Sequence, residues 1–415
     1  MNKHVYLFNT SSRAAIYGIG TYIEQLVTCL KNTHLKISVI ESLSNIKFVQ
    51  MMQKDNVRYI KVPAPYFASF HKENSNHIDR YNKSLAILLY PYIRHDENNI
   101  FHLNYLCDGV LAECLKKYYR GKIIVTVHYT DWSFRLLGNK KRMRKIISQG
   151  NISTSNLEIS ILQKFRQEQK LLTTQCDQII SISKHSHDDL IDLYKVNPCK
   201  VILINNAIKD VYRSRTQKEK QKIRSKYQIH EHTKIIVYAG RLDEIKGVNI
   251  LIKAFRKVVS KYPDVRLFII GDGVFSPLMS LAYPIYSRIS FTGFLPKNKL
   301  FELYSIADIG VLPSIHEEFG YTAIEMLMYK IPLIVNKTTG LAEIVEHQIC
   351  GLTTMIKWGS EQNLLFSAKE LAENIIILLE NPELCKYLAK NGRKRFLSHY
   401  ESVTFKSSMM NKVYG

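Results

Sequence analysis

The 415-residue chain is long enough for two domains of about 200 residues each, and at 46% apolar residues it is too hydrophobic for a disordered protein. Its net charge of +22 calls for an anionic partner such as lipid headgroups, nucleotide phosphates or nucleic acid, without choosing among them. Seven scattered cysteines (Cys29, Cys107, Cys114, Cys176, Cys199, Cys350 and Cys385) form no Cys-x-x-Cys pair. They argue against a zinc ribbon or a redox dithiol and suit core thiols in a reducing compartment.

The opening segment, "MNKHVYLFNT", reads as a strand and not as a signal peptide. No run reaches the ~20 apolar residues of a membrane-spanning helix. The longest, "LAILLYPYI" (85–93), is short and contains a proline. A cytoplasmic protein that meets any membrane from the side is expected, and its charge favours an anionic acceptor or the inner membrane surface.

In chain order, strands are predicted at 3–9, 36–40, 57–62, 99–104, 122–127, 178–182 and 200–204, then at 234–240, 265–271, 288–293, 308–313 and 332–336. They are apolar on both faces, as parallel strands covered by helices must be, and helical patterns alternate with them. Ile23, Leu26, Val27 and Leu30 form one core-facing helical stripe; Val248, Leu251, Ile252 and Phe255 form another. The chain therefore predicts an α/β protein with two doubly wound domains. The seam falls near 205–230, where "KDVYRSRTQKEKQKIRSKYQ" is charged and poor in large apolar residues. Within it "QKEKQKIRSKYQ" (217–228), with "NKKRMRK" (139–145), carries much of the charge, and both read first as solvated faces. Tandem α/β domains of this kind place ligands in the cleft facing their C-terminal strand edges.

Several strand ends carry chemistry. In "YAGRLDEIKGVNIL" (238–251), Arg241 and Lys246 lie between a strand and a helix start, where backbone N–H groups and the helix dipole also favour an anion. A turn with ordinary surface charges explains that stretch equally well. In "NTSSRAAIYGIGTYIEQL" (9–26), Gly18 and Gly20 open a helix as in a phosphate-cradling turn, but Ile23 stands where a dinucleotide fingerprint needs its third glycine. His128 ends a strand in "TVHYTDW", and a lone histidine there is more often structural. Gly271 in "FIIGDG", and Gly293 with Phe294 in "FTGFLPKNKLFELY", mark two further strand-end loops. "SIHEEFGYTAIEML" (314–327) places Glu317 and Glu325 on either side of a helix start. For Glu325, Thr322-x-x-Glu325 is also a capping-box pattern; for Glu317, an exposed loop acid is the bland reading. No Asp-x-Asp triplet, Gly-x-Ser-x-Gly, Walker loop or His-Glu-x-x-His occurs.

The order "GRLDEIKG", "GDG", "FTGFLP", "ADIGVLPSIHEEFGYTAIEML", "IPLIVNKTTGLAEIV" closely resembles glycosyltransferase family 4, most strongly over 234–352. The first half resembles it more loosely: Tyr17 stands for the first glycine of the family's paired-glycine loop, Thr21 for the common arginine, and Asn205 and Ala207 for a proline and a glycine.

The resemblance implies a GT-B fold, with two Rossmann-like domains facing a central cleft. An acceptor-side domain would span 1–207, a nucleotide-sugar domain 208–396, and a C-terminal helix at 397–415 would cross back to the first. It implies retaining transfer of a sugar from a nucleotide-diphosphate donor to a glycan, lipid-linked or peptide acceptor, with no metal or other cofactor and no nucleic-acid partner. Arg241 and Lys246 would neutralise the diphosphate, and Gly18 would let its loop approach it. Gly271, Gly293 and Phe294 would line the donor site. Glu317 and the backbone of Phe319, Gly320 and Tyr321 would hold the sugar, Glu325 the ribose, and His128 would face the reacting centre. A sugar-nucleotide epimerase or hydrolase on the same scaffold is the alternative; it would turn over donor with no acceptor.

Overall fold

The computed structural model describes residues 3–11, 18–65, 75–150, 155–359 and 364–415. Tyr17 and the small-residue loop before Gly18 lie outside them. Two compact units emerge. One comprises Met1–Arg135, Met143–Ala207 and Ser402–Gly415; the other comprises Leu136–Arg142 and Ile208–Glu401.

Among the described residues the first unit holds an eight-stranded sheet. Its strands are β1 (His4–Thr10), β2 (Lys36–Ser44), β3 (Gln50–Lys54), β4 (Val57–Pro63), β5 (Asn99–Leu103), β6 (Lys122–Val127), β7 (Gln178–Ser181) and β8 (Val201–Leu203). The order is β3-β4-β2-β1-β5-β6-β7-β8, parallel except for β3, which pairs antiparallel with β4. Every strand expected in this half is present. β3 was not expected because "QMMQK" is exposed at all five positions, so an edge strand held only by backbone pairing leaves no hydrophobic pattern to read.

The second unit repeats the plan with β9 (Lys234–Ala239), β10 (Val265–Ile270), β11 (Ile289–Gly293), β12 (Ile309–Leu312), β13 (Leu333–Asn336) and β14 (Gly351–Thr354), all parallel in the order β11-β10-β9-β12-β13-β14. A short antiparallel hairpin, β15 (Ile356–Trp358) with β16 (Leu364–Phe366), stands apart from this sheet. In both sheets the order reverses beside the first strand, between β1 and β5 and between β9 and β12. The crevice outside the C-terminal ends of those two strands is where such sheets bind ligands. Both predicted helical stripes are core: Ile23, Leu26, Val27 and Leu30 in one unit, and Val248, Leu251, Ile252 and Phe255 in the other, are all buried.

The C-terminal return begins at Ser402, not at 397, because Phe396 and Tyr400 are still buried within the second unit's share of the chain. Its uneven apolar pattern has a structural cause. Phe405, Met409 and Tyr414 are buried; the first spacing is one α-turn, and the last crosses the π-helical turn Met410–Tyr414. Cys29, Cys176 and Cys350 are buried core thiols, whereas Cys107 and Cys199 are exposed.

Candidate active site

In the second unit, β9 ends in Gly240 and leads through Arg241 to a 3₁₀ turn, Glu244–Lys246, before the helix Val248–Lys261. The hinge between turn and helix is Gly247 at φ +66. A Cβ there would sit 2.2 Å from the Pro313 carbonyl, so only glycine lets this loop lie against the end of β12. The Ile315 N–H donates to the Ile245 carbonyl (2.8 Å) and closes the same contact. Beneath the loop, the Tyr238 hydroxyl donates to the Arg241 carbonyl (2.6 Å). Burial, together with the nearby Glu317 and Asp243 carboxylates, pushes this phenol well above its ordinary pKa, so it stays a donor. Gly271, at the end of β10, packs so closely on Gly240 that a Cβ would lie 1.9 Å from the Gly240 carbonyl. Its φ of +138 favours glycine as well.

The pair at the centre is Lys246 and Glu317. The Lys246 ammonium donates to Glu317 Oε2 at 2.5 Å, and Ser314 Oγ donates to the same oxygen at 3.3 Å. Both side chains are largely buried, 16% and 22% exposed. The bland reading of Glu317 as an exposed loop acid is therefore overturned, and an internal ion pair takes its place. Arg241 forms an ion pair with Asp243 at 3.0 Å.

The loop bearing Glu317 is held from behind by the last residue of β13 and the residues after it. The buried Asn336 amide donates to the Pro313 and Ser314 carbonyls (2.8 and 3.0 Å), and Thr338 Oγ1 donates to the Ile315 carbonyl (2.7 Å). Thr339 Oγ1 accepts from the Glu317 N–H (3.0 Å) and donates to the Glu317 carbonyl (2.6 Å), which also accepts from the Gly340 N–H (2.8 Å). In the sequence, "NKTTG" (336–340) carries no motif that assigns these residues a role. The available signal was their place, since polar residues directly after a parallel strand lie on the functional edge.

Gly320 (φ +114) caps the helix Tyr321–Met328 with no side-chain cap bond, and Phe319 turns inward, 4% exposed, against Tyr321 and Tyr400. Phe319 can thus serve a ligand through its backbone but not through its ring. The capping-box reading of Glu325 fails, because the helix starts at Tyr321 and Thr322 is not its cap. Instead the buried Glu325 carboxylate pairs with the Lys297 ammonium. Lys297 opens the helix Lys297–Tyr304, four residues after Gly293 (φ +66) and three after the half-exposed Phe294. Nothing in the sequence singled Lys297 out.

In the first unit Gly18 is exposed and begins the helix Gly18–Leu30. His128 follows β6 and is buried. Asn104 Nδ2 donates to the Phe8 carbonyl (2.9 Å), which leaves Asn104 Oδ1 to accept from His128 Nε2–H (3.1 Å). Nδ1 is then the acceptor nitrogen of a neutral imidazole. Burial, with a contribution from His102, lowers the pKa of His128 to about 3. Tyr22 packs edge-on against the ring at 4.6 Å.

The architecture is the GT-B fold. The structure of sucrose-phosphate synthase from Thermosynechococcus elongatus superposes with a TM-score of 0.77 at 19% identity, covering 99% of this chain and 98% of that one. The structure of Anabaena Alr3699/HepE in complex with UDP and glucose gives 0.69 at 16% identity, covering 100% and 99%. Residues 219–395, which lie in the second unit, match the family described as glycosyl transferases group 1. An uncharacterized glycosyltransferase of Methanocaldococcus jannaschii is 30% identical over 207 residues, 47% of this chain and 52% of that relative, so the match spans about half its length. Among the described residues no helix is long and apolar enough to cross a membrane.

Proposed function

We propose that the protein is a retaining glycosyltransferase. It takes a sugar from a nucleotide-diphosphate donor and passes it to a glycan, lipid-linked sugar or peptide acceptor, without a metal ion. The observation that carries this reading is the Lys246–Glu317 pair at the β9–β12 switch point, with Arg241 on the same loop.

A cation and a carboxylate so placed divide the donor between them. As the bond from the sugar's anomeric carbon to the diphosphate oxygen breaks, negative charge grows on the leaving group, and the fixed charges of Arg241 and Lys246 stabilise it there. Glu317, pinned through its own backbone by Thr339 and Gly340, accepts hydroxyls of the sugar. Glu325 accepts those of the ribose. The acceptor oxygen bonds to the face the leaving group departs from, and its proton passes to the departing phosphate oxygen. No enzyme nucleophile takes part. His128 contributes a neutral imidazole held by Asn104.

Support comes from the family match over 219–395 and from the fold; a structural neighbour that holds UDP and glucose supports uridine nucleotide sugars as the first donors to try. The charge of +22 favours an anionic acceptor or surface. A panel of nucleotide sugars, read by thermal stabilisation and slow donor hydrolysis, tests the reading. Binding by one of them, with an α-linked product from an α-linked donor by NMR, supports it. Binding by none, an inverted product, or donor turnover that never yields a glycosylated product contradicts it.

A further inference from the structure

Glu325 and Lys297 are unequally placed. The carboxylate sits 3% exposed on the helix Tyr321–Met328, whose residues Ala323, Ile324, Met326, Leu327 and Met328 are all buried, whereas the ammonium that reaches it is 57% exposed. Lys297 occupies Oε1, and among the described residues Oε2 has no hydrogen-bond partner. Nearby, within electrostatic reach of Glu325, the phenol of Tyr304 is 1% exposed and its hydroxyl has no hydrogen-bond partner among the described residues. A buried carboxylate with one oxygen to spare, beside a buried hydroxyl with no partner, is an incomplete polar set. A ligand that brings neighbouring hydroxyls completes it, because each hydroxyl both donates and accepts.

We infer that Lys297 is a positioning residue for the nucleoside half of the donor. It holds the Glu325 carboxylate by one oxygen and leaves the other to accept the ribose hydroxyls, so that it sets affinity for the ribose without touching it. This rests on the reading of Glu325 as the ribose ligand. A lysine suits the task, since a single flexible ammonium occupies one carboxylate oxygen where a guanidinium fork tends to take both. Removal of Lys297 lets the buried carboxylate turn or draw in water, and the loss falls on the ribose contact and not on the diphosphate.

The test measures binding of UDP and of 2′,3′-dideoxy-UDP by calorimetry to the full chain, with Lys297→Met, Lys299→Met and Glu325→Gln beside the wild type. Lys299 lies on the same helix, pairs with Glu302 and controls for loss of a surface charge. Lys297→Met is expected to weaken UDP by about 10-fold to 100-fold, the range of a lost charge-assisted contact. It should leave the dideoxy nucleotide within about 3-fold, and with saturating donor kcat should change little while KM rises. Lys299→Met should bind both nucleotides as the wild type does. Equal weakening of both nucleotides by Lys297→Met, or no change in either, overturns the inference. Glu325→Gln separates the two levels. If Glu325→Gln changes the affinity for UDP and for the dideoxy form equally, or changes neither, the ribose reading of Glu325 falls; if it weakens UDP alone and Lys297→Met does not, only the role of Lys297 falls.

Discussion

Gly247→Ala puts the geometry of the second unit to a quantitative test. The residue sits at φ +66 and ψ 21, a left-handed conformation that costs an alanine about 1–2 kcal/mol. The added methyl would also lie 2.2 Å from the Pro313 carbonyl oxygen, more than 1 Å inside the ~3.5 Å of an ordinary contact. Overpacking of that kind adds about 1–3 kcal/mol, for a total near 3 kcal/mol and a fall in the melting temperature of the second unit of roughly 6–12 °C.

The chain relieves the clash by moving the Arg241–Lys246 loop away from the end of β12, which shifts Lys246 relative to Glu317. A displacement of about 1 Å at a reacting centre costs on the order of 100-fold in rate. Gly150→Ala is the control. Gly150 is also left-handed, at φ +59, but among the described residues a methyl there meets nothing within 4 Å, so it should incur the conformational cost alone and leave turnover intact. Calorimetric melting and kcat/KM on the donor identified by the panel give both readouts. If Gly247→Ala behaves like Gly150→Ala in both, the close approach of the two strand ends does not position Lys246, and the reasoning fails.

Other outcomes follow from individual contacts. Asn336→Ala leaves the Pro313 and Ser314 carbonyls without their donor and should cost about 2–3 kcal/mol in denaturant unfolding, with a rise in donor KM as the Glu317 loop slackens. Tyr414→Phe removes the hydroxyl that bonds His102 Nδ1 at 2.5 Å; His102 in turn reaches Thr126 (2.7 Å), which bonds Tyr22 (3.0 Å). The change should cost about 1–2 kcal/mol, and an unchanged unfolding midpoint would show that this buried chain is idle.

Asp108 carries a pH signature. Burial raises its pKa to about 7 from an unfolded value of 3.8, so its contribution to stability is fully present below about pH 3.8 and is lost as pH rises through about 7. Asp108→Asn lacks that dependence. Its stability relative to the wild type should therefore increase between pH 4 and pH 7.5, by up to a few kcal/mol, in urea titrations at the two pH values. A constant difference contradicts the burial argument.

Most of both sheets was legible because buried parallel strands must be apolar on both faces, and all twelve expected strands exist; β14 was missed because "GLTT" is short and has one large apolar residue. β3 was missed for a different reason: an exposed edge strand has no face to hide. The candidate residues were legible as positions at strand ends, since Arg241, Lys246 and Glu317 follow β9 and β12, the strands that flank the order reversal. Their partnerships were not. That Glu317 meets Lys246, 71 residues away in sequence, depends on register between β9 and β12 and on the close contact at Gly247, and neither leaves a local pattern. Glu325 shows the same limit. Its spacing from Thr322 suggested a capping box, yet the helix begins two residues earlier than that box requires, and the true partner, Lys297, comes from another helix.

Lys246 and Glu317 are proposed to act together on a nucleotide-sugar donor. The most direct measurement is product formation by the wild type, Glu317→Gln, Lys246→Ala and the double variant, with the donor and acceptor at fixed concentrations. Each single change should lower kcat/KM by about 100-fold to 1,000-fold, and the double variant should be far less than multiplicatively worse, because the two residues form one unit. Turnover by either single variant at the wild-type rate would contradict that joint role.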